Sequence, residues 1–128
     1  MCARGGEAMA RVIHFEVPVD DPERAQAFYR DVLGWQIMSW GGPADYWLAT
    51  TGPEDEPGIN GALTRRSETA AWIHVGVDSV DETVRRIEEG GGAAITAKMP
   101  IPGVGYMAYC RDTEGNSFGV YEDDPSAA

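Results

Sequence analysis

The sequence predicts an α+β fold built from two βαβββ modules. The first observation behind this is an internal repeat at an offset of 58 residues: Val19-Asp20 falls on Val77-Asp78, Gly34 on Gly92 and Ile37 on Ile95. The second is that each copy opens with a β-branched and aromatic run that leads into a helix start. The third is composition: 128 residues with 43% hydrophobic and 24% charged side chains suit one compact globular domain with a real core.

The elements follow in order. Residues 1–10 carry glycines without periodicity and are expected as a tail. Val12-Ile13-His14-Phe15-Glu16-Val17 reads as a strand. Asp20-Asp21-Pro22-Glu23 supplies the cap, the proline and the acid of a helix start. Ala25, Phe28, Tyr29, Val32 and Leu33 recur at three and four, and Gly34 stops the helix. Two or three strands follow over 35–66, broken by Gly41-Gly42-Pro43 and by a loop over 52–58. Asn60-Gly61 permits a hairpin turn, but the short run before it favours a bulged strand over 59–65.

The second copy begins with the strand Trp72-Ile73-His74-Val75-Gly76-Val77. Asp78 or Ser79 caps a helix carrying Val80, Thr83, Val84 and Ile87, and Gly90-Gly91-Gly92 stops it. A strand over 93–96, a loop from Pro100 to Gly105 and a strand from Tyr106 to Cys110 come next. Asp112-Thr113-Glu114-Gly115-Asn116 reads as a hairpin turn before a last strand from Phe118 to Glu122. Module one thus spans 11–66 and module two 70–124, together one domain over 11–124, with 125–128 as a second tail.

The net charge of −11 argues against nucleic acid, whose phosphates need a basic face, and against an anionic membrane surface. No apolar run approaches a membrane span, and the N-terminus has no signal-like apolar stretch. Two cysteines, Cys2 and Cys110, give no disulfide framework, so a cytoplasmic setting is expected. The acids gather at the first helix start, at Glu54-Asp55-Glu56 and at Glu122-Asp123-Asp124. They read as solvated surface, and their field would favour a cationic ligand.

Several stretches then carry a resemblance. They are His14 to Glu23 with Phe28-Tyr29 and Leu33-Gly34-Trp35; Val77-Asp78-Ser79-Val80-Asp81 with Gly91-Gly92; Ile101 to Tyr106; and Arg111 to Gly119. In these the chain resembles the vicinal oxygen chelate superfamily of glyoxalase I, bleomycin-resistance proteins and extradiol dioxygenases, and within it the small glyoxalase-like bacterial members. The resemblance implies a glyoxalase-like fold, two βαβββ modules forming a cup-shaped curled mixed sheet, often in a homodimer. It implies a small-molecule ligand but no single reaction, since one fold hosts many chemistries. An enzyme of this type would be a lyase, an isomerase or a dioxygenase.

Metal-bound members, by the same resemblance, take ligands from the first and last strands of each module, leaving positions open for two substrate oxygens. A divalent ion such as Zn, Ni, Mn or Fe would polarise a substrate oxygen. His14, fourteen residues before Phe28, matches the first ligand position. Its repeat partner is Trp72, with His74 two residues on, opposite Glu16. The last-strand position falls on Gly119, and its module-one counterpart is expected near Leu48 to Thr50; neither offers a ligand atom. Glu122 has the opposite parity and should face outward. Alternation lets His14, Glu16, Trp72 and His74 all point into the cup, so a displaced site from His14, Glu16 and His74 stays open beside plain cup-lining histidines.

Glu16 also suits a general base, because burial raises a carboxyl pKa, and it equally suits a salt bridge. The four tryptophans, with Tyr46, Tyr106 and Tyr109, suit either core packing or a pocket for a flat ligand. Trp47, Trp72, His74 and Tyr106 are the candidate ligand contacts. Cys110 reads as a small strand hydrophobe. The expected function is binding of a small organic molecule in an aromatic-lined cup without the full metal site. The alternative is a metal-dependent enzyme that uses His14.

Overall fold

A computed structural model describes residues 10–128. Apart from Ala10, the tail expected over 1–10 lies outside the described residues, as does Cys2. The described residues form two helices and nine strands. They divide into two compact units, residues 13–73 and residues 74–128 with 10–12. No helix among them is long and apolar enough to cross a membrane.

The first module runs β1 (Arg11–Val19), α1 (Pro22–Leu33), β2 (Gln36–Ser39), β3 (Tyr46–Thr50) and β4 (Gly61–Arg65). Its strands lie in the order β2-β3-β4-β1. β3 is antiparallel to both neighbours, while β4 runs parallel to β1. Asp21 caps α1, its side chain accepting from the Arg24 N–H at 3.1 Å, and Pro22 opens the first turn. Gly34 ends the helix at φ 74°, in the left-handed region, and its N–H donates to the Arg30 carbonyl. Asn60-Gly61 is no hairpin turn. Asn60 accepts from the Thr51 N–H at 2.9 Å, and Gly61 opens β4 against Phe15, where a Cβ would stand 2.5 Å from the Phe15 carbonyl oxygen.

The core of this module is Val17, Val19 and Leu63, with Phe15, Ala25, Tyr29, Ile37 and Trp47 packed around them. The amphipathic stripe of α1 is narrower than its sequence suggests. The partly buried line is Pro22, Ala25, Gln26 and Tyr29, whereas Phe28, Val32 and Leu33 are all more than half exposed. Phe28 and Val32 lie along the edge of that line, and Leu33 is the last helical residue.

The second module runs β5 (Ile73–Gly76), α2 (Val80–Glu89), β6 (Ala93–Ala94), β7 (Met99–Ile101), β8 (Gly105–Arg111) and β9 (Ser117–Asp123). β9 is parallel to β5 and antiparallel to β8, and β8 also pairs with β6 and β7. The repeat therefore holds at the level of topology, with β5 and β9 in the roles of β1 and β4. Ser79, not Asp78, caps α2 by accepting from the Glu82 N–H. The core is Val80, Ala108, Cys110 and Val120.

Three expectations are corrected here. The loop expected from Pro100 begins inside a strand, because Met99–Ile101 pairs with Gly105–Met107 as β7. Among the described residues β7 pairs only with β8, and a strand with one open side tolerates a proline without an N–H. The strand expected over 93–96 stops at Ala94; the Ile95 and Thr96 N–H groups then both donate to the Tyr109 carbonyl. The tail expected over 125–128 is tied down. The Gly103 N–H donates to the Ala127 carbonyl at 2.8 Å, and Ala127 is buried.

Two predictions follow from this packing. Leu63→Ala removes a fully buried side chain and should cost about 2–5 kcal/mol in denaturant unfolding. Asp112 organises the β8–β9 turn: its Oδ1 accepts from the Asn116 and Glu114 N–H groups at 2.9 and 2.8 Å, which hold its carboxyl below the ordinary 3.8. A lowered carboxyl pKa stabilises the fold above the unfolded pKa and loses that contribution as pH falls through the folded one. Asp112→Ala should therefore lower Tm at pH 7 and make little difference at pH 2.5, as thermal melts at the two pH values will show.

Candidate functional site

Alternation along each strand sorts its side chains between a face covered by the helix and a helix-free face. In module one, Phe15, Val17 and Val19 lie on the α1 side. His14 and Glu16 therefore share the helix-free face with Ala62, which pairs with Glu16 across β1–β4. Leu48 pairs with Ala62, and Met38 with Leu48, on the same face. Glu16 is buried, 5% exposed. His14 is half-buried, and its Nε2 is hydrogen-bonded to the Tyr46 hydroxyl at 2.7 Å. The Trp40 ring meets Tyr46 edge-on at 5.7 Å, and its indole N–H donates to the Ala44 carbonyl at 2.9 Å.

In module two, the helix side holds Ala108, Cys110, Phe118 and Val120. His74, Gly119 and Tyr109 lie on the other face, because His74 pairs with Gly119 across β5–β9 and Tyr109 pairs with Gly119 across β8–β9. His74 is 5% exposed and meets the Tyr109 ring edge-on at 5.7 Å. Its imidazole lies over Gly119, where an added Cβ would collide with Nδ1 and stand 2.6 Å from Cε1. The missing side chain at 119 is what admits the ring.

Among the expected ligand contacts, two lie on the helix side of their sheets. Trp47 packs with the α1-side core, and the Arg65 guanidinium lies 5.9 Å from its ring centroid. Tyr106 packs with the α2-side core, with the Lys98 ammonium 4.6 Å over its ring. Trp72, just ahead of β5, is 58% exposed. The module-one counterpart of Gly119 is also moved: the register makes it Ala62 on β4, not Leu48 to Thr50 on β3. Glu122 does leave the helix-free face, but for the α2 side: its Oε1 accepts from the Val80 N–H at 2.9 Å and so serves the start of α2.

The residues that sequence reasoning missed are Tyr109 and Tyr46 as direct neighbours of His74 and His14. For Tyr109 a signal existed. The β8–β9 hairpin is centred on Glu114, so reflecting Gly119 through that centre gives Tyr109. Cys110 is buried, and burial pushes its thiol above the usual 9.0, which keeps it unreactive. Tyr121 is pushed up to about 12, first by burial and then by its hydrogen bond to Asp123.

The metal that the resemblance implies can be tested on these residues. The two last-strand positions are Ala62, which has no ligand atom, and Gly119, whose side-chain space is taken by His74. Among the described residues, no three His, Cys, Asp or Glu side chains gather as a metal-holding group. The usual four-ligand pattern does not fit this chain.

Two βαβββ modules with a parallel first-to-last strand pair in each define the vicinal oxygen chelate class, and comparison with known proteins agrees. The chain has the fold of that superfamily. Residues 11–42 match the family described as bleomycin resistance protein-like N-terminal. The chain is 27% identical to a glyoxylase-like domain-containing protein of Didymella fabae over 82% of its length and 88% of that protein's. It is 26% identical to the lactoylglutathione lyase of Salmonella typhimurium over 88% and 92% of the two chains. In structure it superposes on methylmalonyl-CoA epimerase of Mycobacterium tuberculosis with a TM-score of 0.65, at 16% identity and over 95% of each chain.

The fit of His74 into Gly119 makes a double-mutant prediction. Gly119→Ala should cost about 1–3 kcal/mol, because the ring must move. In a His74→Ala background the same methyl meets open space, so the cost should largely vanish. Denaturant melts of the four proteins should give a coupling of about 0.5–3 kcal/mol, and additive costs would show that the ring does not depend on the glycine.

Proposed function

We propose that this glyoxalase-like protein binds a small organic molecule on a helix-free sheet face, without the full metal site of its superfamily. The observation that carries the reading is the pairing of Glu16 with Ala62 and of His74 with Gly119. Each module presents a buried polar side chain on its helix-free face, opposite a last-strand residue that cannot ligate. Aromatic side chains share those modules' faces, Tyr46 and Trp40 beside His14 in one and Tyr109 against His74 in the other. A face of aromatic rings with a few fixed polar groups suits an organic ligand. In this reading His74 and exposed Trp72 are ligand contacts, while Trp47 and Tyr106 belong to the helix-side packing. The two modules act as one domain over 11–124, as a cytoplasmic homodimer.

A second reading is an enzyme of the lyase or isomerase type, and it is favoured by the names of the relatives. Glu16 is then the base that takes a proton from carbon beside a carbonyl, and His14 is the primary ligand of a divalent ion. It asks His14 to exchange its Tyr46 hydrogen bond for a metal.

A thermal-shift screen of small organic molecules, with and without Zn, Ni, Mn and Fe, separates the two. The expected result is at least one organic ligand that raises Tm with no metal added; at a hundred times its Kd a ligand adds about 2.7 kcal/mol. Metal analysis after incubation with each ion should show less than stoichiometric binding. Stoichiometric metal that disappears in His14→Ala would overturn the metal-free reading and select the enzyme. Light scattering at the mass of a single chain would refute the homodimer.

A further inference from the structure

We propose that the open edge of module one, strand β2, is the surface through which two copies of this chain pair, strand against strand in one continuous sheet. This rests on the homodimer part of the reading above and names the surface that makes it. Three observations carry it.

The first is that β2 ends the sheet. The strand order begins at β2, and among the described residues β2 pairs only with β3. One side of its backbone therefore offers N–H and C=O groups to a further strand. Such an edge is commonly guarded by Lys, by Pro or by another charge. Gln36-Ile37-Met38-Ser39 carries none of these. At the other margin β6 has only two residues, and β7 has Pro100 at its centre with Lys98 one residue ahead of it.

The second is charge. Residues 32–44 hold no Asp, Glu, Lys or Arg; this is the longest uncharged run in the chain, and β2 lies at its middle. The next longest, 99–110, is used up inside the sheet, where β8 is paired on both sides. Copies that each carry −11 repel one another, so they meet closely only where acids are missing from the contact. A basic partner would be drawn to the acidic clusters instead. The uncharged edge suits a second copy.

The third is apolar surface at the same place. Met38 and Trp40 are 66% and 42% exposed, and Leu48, the cross-strand partner of Met38, is 39% exposed. Leu33, which leads into β2, is 54% exposed. Two antiparallel copies of β2 related by a two-fold axis keep their helix-free faces on one side of the joined sheet. Each Met38 then has side chains of the second copy as cross-strand and diagonal neighbours, and a sulfur–aromatic contact with Trp40 comes within reach. Burial of this wet apolar area drives the association, and the backbone bonds fix its register.

The test uses the full chain at pH 7.5. Sedimentation equilibrium is expected to give the mass of a dimer. Hydrogen exchange should show the amides of Gln36–Ser39 protected at high concentration and exchanging faster on dilution below the dissociation constant. Met38→Glu should weaken the dimer at least tenfold. Val104→Glu adds the same charge at another exposed apolar position and should change the affinity less than twofold. A dimer that keeps its affinity in Met38→Glu, or whose β2 exchange does not depend on concentration, overturns the proposal and leaves a homodimer formed elsewhere. Protection of β2 that persists in the monomer overturns it as well, because the edge is then covered by its own chain. A monomer at every concentration removes both this surface and the homodimer reading. Because exchange is read on the unaltered chain, a poorly folding variant does not remove the test.

Discussion

The register of each module's first strand against its last is the constraint on which the site depends. β1 with β4, and β5 with β9, are parallel pairs at equivalent places in the two modules. A slip of one residue in either pair would exchange its faces, sending Val17 out and Glu16 into the α1-side core. Two glycines make the close approach possible, and they do so on opposite faces. Gly61 receives the Phe15 ring and carbonyl, and Gly119 receives the His74 imidazole. In module one the ring-and-glycine pair is Phe15 against Gly61, one residue before Glu16 against Ala62, while in module two it is His74 against Gly119, at the position equivalent to Glu16 and Ala62. Ring and gap have changed sides between the two copies. The repeat preserves backbone topology and lets the packing solution differ.

How far the site was legible in the sequence depends on loop length. Helix caps and stops are local, so Asp21, Gly34, Ser79 and the glycines at 90–92 could be read directly, and with them the repeat. The β8–β9 turn is five residues long and symmetric, so its register was also available. Applied consistently, it puts Tyr106 opposite Glu122, on the face already rejected for Glu122, and puts Tyr109 opposite Gly119. Trp47 was different. Its face depends on β3–β4 pairing across the loop that separates Thr50 from Gly61, and no short-range signal sets the register across a loop of that length. Only pairing with Leu63 assigns Trp47 to the α1 side.

Burial of Glu16 and His74 has an energetic meaning apart from any ligand. Polar side chains taken out of water lose solvation that their new contacts must restore, and apolar residues of similar volume would pack there without that cost. Both stand at the same strand position in their modules, on the helix-free face, while the buried centres of the helix-side cores are Val17, Val19 and Leu63 in one module and Val80, Ala108, Cys110 and Val120 in the other. A chain that only needed to fold would gain from apolar side chains at 16 and 74. The same departure from local packing rules thus recurs at equivalent places in the two modules.

The same geometry decides how easily a metal site could be present. A ligand at 119 and an imidazole at 74 compete for one volume, so a carboxylate there would require His74 to leave. At 62 the side chain is a fully buried alanine, paired with Leu48 on one side and Glu16 on the other, and a larger residue would displace one of them. His14, the remaining candidate, holds Tyr46, and Tyr46 in turn orders Trp40. Coordination at His14 would therefore loosen the aromatic corner that makes the face suited to an organic ligand. Metal binding at His14 and the hydrogen bond that holds Tyr46 thus draw on the same side chain, and the packing around 62, 74 and 119 leaves no room for a larger ligand side chain there.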